Sequence, residues 1–92
     1  MVALTDRVVA NGDLLSTEID GETVMMNMDS GQYYALNDVG SRIWQELANP
    51  VEVDGLCRRL EAEYDAEAGV IRDCVLRFLT EMLDKRLIRI EP

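Results

Sequence analysis

The chain has 92 residues, 48% of them hydrophobic, and its 18 acidic and 9 basic side chains leave a net charge of −9. That length suits one small domain over residues 1–92, and the apolar content supplies a core, which argues against disorder. The charge repels phosphate backbones, making nucleic acid a poor partner, and the lack of histidine removes the commonest general base and metal ligand.

No apolar run reaches membrane-spanning length, and the opening MVALTDRVVA lacks the apolar segment of a signal peptide, so no membrane association and a cytoplasmic location are expected. Cys57 and Cys74 each fall within an amphipathic helical pattern. Reduced core thiols fit that compartment, with a disulfide as the alternative. Without CxxC spacing they make a poor zinc site, and no GxGxxG, GxxxxGKS or GxSxG run occurs. The chain is therefore expected to be no enzyme and to hold no metal or cofactor.

In chain order, Met1 to Asp6 reads as a frayed lead-in. Arg7 to Ala10 reads as a short strand pairing briefly with the next one, since Asn11-Gly12 suits a type I′ turn. A firmer hairpin comes next: Leu14–Ile19 and Glu22–Met28 flank Asp20-Gly21, which sets Ile19 opposite Glu22, Thr17 opposite Val24 and Leu15 opposite Met26. One face then carries Leu15, Thr17, Ile19, Val24, Met26 and Met28, and is expected to be the buried one. Asp29-Ser30-Gly31 suits a three-residue loop with Gly31 left-handed, placing Met28 opposite Gln32, Met26 opposite Tyr34 and Val24 opposite Leu36. Tyr34 and Leu36 join the core face, and Tyr33 and Ala35 the open one. Gln32–Leu36 is left as an edge strand with neither charge nor proline to blunt it.

The helical half begins at once. A first helix is expected over Asp38–Ala48, with Asn37 as N-cap and Val39, Ile43, Trp44 and Leu47 as its apolar stripe; Gly40 points to close packing. Asn49-Pro50 ends it. A second helix spans Glu52–Tyr64 with Val53, Leu56, Cys57, Leu60 and Tyr64 on one face. Asp65 caps a third, Ala66–Lys85, whose central stripe is Ile71, Val75, Phe78 and Met82. Val70 and Cys74 widen that stripe on one flank, and Leu76, Leu79 and Leu83 on the other, beyond the roughly 100° arc of a surface helix. Either this helix is central and packed on two sides, or one flank borders an open groove. Leu87–Ile90 closes the chain as a short strand. The outline is α+β and winged helix-turn-helix-like: a three-stranded antiparallel sheet followed by three helices.

The run Asp29-Ser30-Gly31-Gln32-Tyr33-Tyr34-Ala35-Leu36-Asn37, followed by Val39-Gly40 and Ile43-Trp44, resembles the PqqD-like family of leader-peptide-binding domains from ribosomal peptide pathways. The resemblance runs from about Arg7 to Ile90. It departs at Arg86-Leu87-Ile88, where the family often has Gly-Leu-Ile. The form with Gln-Tyr-Tyr-Ala-Leu-Asn is most similar to the stand-alone class of lasso-peptide biosynthesis. That resemblance implies a precursor leader peptide as ligand, with a separate cysteine leader peptidase and a cyclase as partners. It implies strand addition along Gln32, Tyr33, Tyr34, Ala35 and Leu36, with peptide side chains entering a cleft beside the last helix. Cys74, Val75, Phe78, Leu79 and Met82 are the residues assigned to its apolar wall, each of which plain core packing would also explain. Leu79→Asp is the cleaner test of that wall if its flank is open.

A winged-helix nucleic-acid-binding regulator is the competing reading. It needs a basic recognition helix, and the third helix offers only Arg72, Arg77 and Lys85 among several acids. An interaction module for an enzyme, without a peptide site, is a third.

Overall fold

The computed structural model of the chain describes residues 2–12, 14–65, 67 and 69–91. Among the described residues, six strands and three helices run in the order β1 (Arg7–Ala10), β2 (Leu14–Ile19), β3 (Glu22–Asn27), β4 (Tyr33–Leu36), α1 (Asp38–Glu46), β5 (Val51–Glu52), α2 (Val53–Glu63), α3 (Val70–Asp84) and β6 (Ile88–Glu91). The strands form two antiparallel three-stranded sheets, ordered β2-β3-β4 and β5-β1-β6. The fold is thus α+β, with a meander ahead of three helices as expected and a second sheet closing the chain on itself.

That second sheet corrects the reading of the N-terminus. Val8 and Val9 are both buried, so β1 is covered on both faces and sits in the middle of its sheet rather than starting a hairpin. Asn11 turns its backbone N–H to the Leu87 carbonyl (3.0 Å) and its side-chain amide to the Arg86 carbonyl (2.7 Å) instead of closing a type I′ turn. The lead-in is not frayed over its described part. Val2 is buried, and the Leu4 and Asp6 carbonyls accept the amides of Asp54 and Val53, two of the unpartnered donors at the start of α2. Met1 lies outside the described residues.

The β2–β3 register is the expected one, and Asp20 (φ 53°) with Gly21 (φ 84°) makes the left-handed pair of a type I′ turn. The β3–β4 register is shifted by one residue: Met26 faces Tyr33, Met25 faces Tyr34 and Thr23 faces Leu36. The cause is the loop. Asn27 donates its backbone N–H to the Gln32 carbonyl (2.9 Å), and its side-chain oxygen accepts from the amides of Asp29 (2.9 Å) and Ser30. Asn27 and Gln32 therefore close the hairpin around Met28 to Gly31, with Gly31 left-handed (φ 72°) as expected. Side chains alternate along a strand, so this shift reverses the buried face of β2 and β3. Met25 (1% exposed) and Thr23 point into the core, while Leu15 (56%), Ile19 (56%) and Met28 (58%) point out. On β4, Leu36 is buried, Tyr34 half-buried, and Tyr33 and Ala35 exposed, as expected.

The helices supply most of the core. Ile43 from α1 and its C-cap Leu47, Val53, Leu56, Cys57 and Leu60 from α2, and Val75, Leu79 and Met82 from α3 join Val8 and Ile88 of the second sheet and Leu87 just ahead of β6. Each aliphatic side chain so buried contributes about 1.5–3 kcal/mol. The third helix begins at Val70 rather than Ala66, because Gly69 is left-handed (φ 92°) and cannot continue a right-handed helix; Asp65 is not its cap. Ala66 lies outside the described residues. Cys74 is exposed, not a core thiol, and both cysteines are free.

Candidate functional site: the cleft between β4 and α3

Strand β4 ends the β2-β3-β4 sheet, and its outer edge carries no partner among the described residues. The direction of its backbone groups comes from the register. Asn27 bonds to Gln32, and in an antiparallel ladder bonded and non-bonded pairs alternate, so Met25/Tyr34 and Thr23/Leu36 also turn their polar groups toward each other. At the last of these pairs a side chain intervenes. The Thr23 N–H donates to Ser41 Oγ (2.8 Å), and that hydroxyl donates to the Leu36 carbonyl (3.1 Å). The residues in between, Tyr33 and Ala35, aim their N–H and C=O groups at the open edge.

A cleft of about 380 Å³ runs along this edge. Tyr33, Tyr34, Ala35 and Leu36 form one side; Phe78, Glu81 and Met82 of α3 and its C-cap Lys85 form the other; Asn37 and Gly40 close the end beside α1. Each element is held by local chemistry. Asn37 caps α1, its Oδ1 accepting from the Gly40 N–H (2.8 Å). Gly40 is buried where a Cβ would stand 3.1 Å from the Phe78 ring and 3.4 Å from Leu36 Cβ, so a larger residue would have to push the Phe78 ring back by a few tenths of an ångström. The Lys85 ammonium lies 5.2 Å from the centre of the Tyr34 ring and pairs with Glu81 (3.1 Å), while the Tyr34 hydroxyl donates to Gln32 Oε1 (2.7 Å).

The structure brings together Tyr33, Tyr34, Ala35, Leu36, Phe78 and Met82 of the residues assigned from sequence. Gln32 lies just outside, in the loop, and lines the adjoining cavity. Cys74 is exposed one helical turn before Phe78 and is not among the lining residues. Val75 and Leu79 are buried in the core and do not line the cleft. Leu79→Asp would place a charge at a fully buried position and unfold the domain, so it is not the clean test expected. The open side of α3 is that of Phe78, Glu81 and Lys85. The last two, with Asn37 and Gly40, were missed as lining residues. The signal for Glu81 and Lys85 was the i, i+3, i+7 spacing from Phe78, masked because charged residues at such positions read as a solvated face.

No group of three His, Cys, Asp or Glu side chains among the described residues is placed to hold a metal. Burial pushes the Cys57 thiol up from its ordinary pKa, which keeps it protonated in the core. What the cleft offers is two outward backbone donors and acceptors beside an apolar floor, the elements of strand recognition.

Comparison with the curated proteins finds no match. Among solved structures, TbiB1 in complex with the TbiA(beta) leader peptide superposes with a TM-score of 0.81 at 27% identity, over 88% of this chain and 94% of that one. A lasso peptide synthetase B1 complexed with the leader peptide superposes with a TM-score of 0.72 at 21% identity, over 89% and 96%, which speaks for the fold. The family model described as coenzyme PQQ synthesis protein D (PqqD) matches residues 22–88, from the first residue of β3 to the first of β6. With the meander's last two strands, the cleft and the helical half all inside that match, the chain belongs to the PqqD family.

Proposed function

We propose that this chain binds the leader segment of a ribosomally made precursor peptide as a strand added to β4, and delivers it to separate processing enzymes. The observation that carries this reading is the open edge at Tyr33 and Ala35, running along a cleft floored by Leu36 and Met82. Main-chain bonds to that edge supply generic affinity, and side chains entering beside Phe78 supply selectivity. Membership of the PqqD family supports the reading, as does the likeness to TbiB1, a protein seen with a leader peptide. The enzymes it serves are a cysteine leader peptidase and a cyclase of lasso-type biosynthesis. The chain itself catalyses nothing and acts in the cytoplasm by presenting its peptide.

Amide hydrogen exchange tests the binding mode. On adding a synthetic leader peptide from a neighbouring precursor gene, the amides of Tyr33 and Ala35 gain protection, while those of Tyr34 and Leu36, already directed at β3, change little. Protection confined to α2, with β4 unchanged, would overturn strand addition.

A further inference from the structure

The chain leaves α3 through Arg86, which is left-handed (φ 61°), a backbone conformation that suits glycine. The Arg86 N–H bonds to the Leu83 carbonyl (3.0 Å) and the Leu87 N–H to the Met82 carbonyl (3.0 Å), the paired bonds of a Schellman turn. Asn11 locks that turn through the Arg86 carbonyl (2.7 Å). An arginine here is strained for no gain in packing, since its side chain is exposed. What it does is line a cavity of about 570 Å³ between the end of α3 and the β3–β4 loop. Tyr34 and Lys85 border both this cavity and the cleft, so the two adjoin.

The cavity is rich in donors. Lys85 is tied to Glu81 (3.1 Å) and the nearby Arg89 to Glu91 (3.1 Å), but Arg86 makes no ion pair among the described residues. Gln32 and Asn27 both line the cavity. Their side-chain oxygens accept from Tyr34 and from the loop amides, which leaves their amide nitrogens without a partner among the described residues. Asp29 is the one acid on the wall among the described residues. In a chain of net charge −9, this local cluster of donors suits an anion.

We propose that the cavity is a carboxylate subsite: it takes an aspartate or glutamate side chain of the peptide lying along β4, and Arg86 is the residue that selects it. The proposal rests on strand addition at β4 and specifies what the bound peptide must carry beyond its apolar anchors.

The test is a selection from a random twelve-residue peptide library, displayed with no free C-terminus, on the wild-type protein and on Arg86→Gly. The glycine suits the left-handed turn, and far-ultraviolet circular dichroism checks its fold. The wild type enriches an acidic residue at one fixed spacing from apolar residues, and Arg86→Gly keeps the apolar residues but loses the acid. In the best wild-type peptide, replacing that Glu by Gln weakens binding about tenfold for the wild type, as expected on losing a charge-assisted contact, and leaves Arg86→Gly affinity unchanged. Apolar peptides selected with no acidic preference, or a preference that survives in Arg86→Gly, would overturn the subsite and leave strand addition standing. A wild type that enriches no peptide would overturn both.

Discussion

Ser41 shows how much one hydroxyl can hold. It lies between the Thr23 amide and the Leu36 carbonyl and partners both, joining α1 to the end of the β3–β4 ladder next to the cleft. Ser41→Ala leaves the buried Thr23 donor and the Leu36 acceptor without that bridge, so it is expected to cost about 1–3 kcal/mol in urea unfolding and to speed exchange of the Thr23 amide. The sequence offered no sign of this role, since a serine one turn into a helix reads as a solvated residue. Its neighbours were legible because their constraints are local. Asn37 before an acidic first turn is an N-cap pattern, and Gly40 inside an apolar stripe has no local reason to be glycine, which implies a close neighbour.

At the scale of elements, strand β4 was legible and the face of β3 was not. Both faces of β3 are apolar enough to bury, with Val24 and Met26 on one and Met25 on the other, so alternation alone could not choose. The choice lies in the side chain of Asn27, which organises the adjoining loop and moves β4 by one residue. The shifted register sharpens a mutational test of the edge. Ala35→Pro removes an outward N–H that no ladder bond uses, so the mutant is expected to keep its helical circular dichroism and lose peptide binding at least tenfold. Tyr34→Pro removes an amide directed at β3, so it should instead lower stability by about 1–3 kcal/mol, seen as an earlier urea midpoint. Equal binding by Ala35→Pro and the wild type would mean that the edge is not used.

At the scale of the molecule, the second sheet was out of reach of local pattern. β1 pairs with β6, register Ala10 with Ile88, and no turn signal between neighbours encodes a contact between opposite ends of the chain. The helices are joined across their outer faces by ion pairs: Arg42 contacts Glu63, Arg59 contacts Glu46, and Arg72 contacts Asp54 and Glu61, while Arg42 also pairs with Glu46 within α1. The hydrogen bond from Arg59 holds the Glu46 carboxyl below the ordinary glutamate range, and that from Arg42 does the same for Glu63. Because the folded values are lowered, the unfolded chain takes up these protons first. The stabilisation is therefore complete above the ordinary value of about 4.3 and is lost as pH falls through the folded values. The urea midpoint should hold from pH 7 to about 5 and drop below it, less steeply in Glu46→Gln than in the wild type. The outward face of the first sheet carries a different consequence. Leu15, Ile19, Met28 and Tyr33 stand exposed beside an open strand edge, a surface through which copies of a chain stick together. Mutual repulsion from the net charge of −9 opposes that, with Glu22 standing opposite Ile19 on the same sheet, so carboxylates govern the colloidal behaviour of this molecule. Enough salt to shrink the reach of that repulsion to a few ångströms turns the same folded protein from dispersed to self-adhering without unfolding a residue.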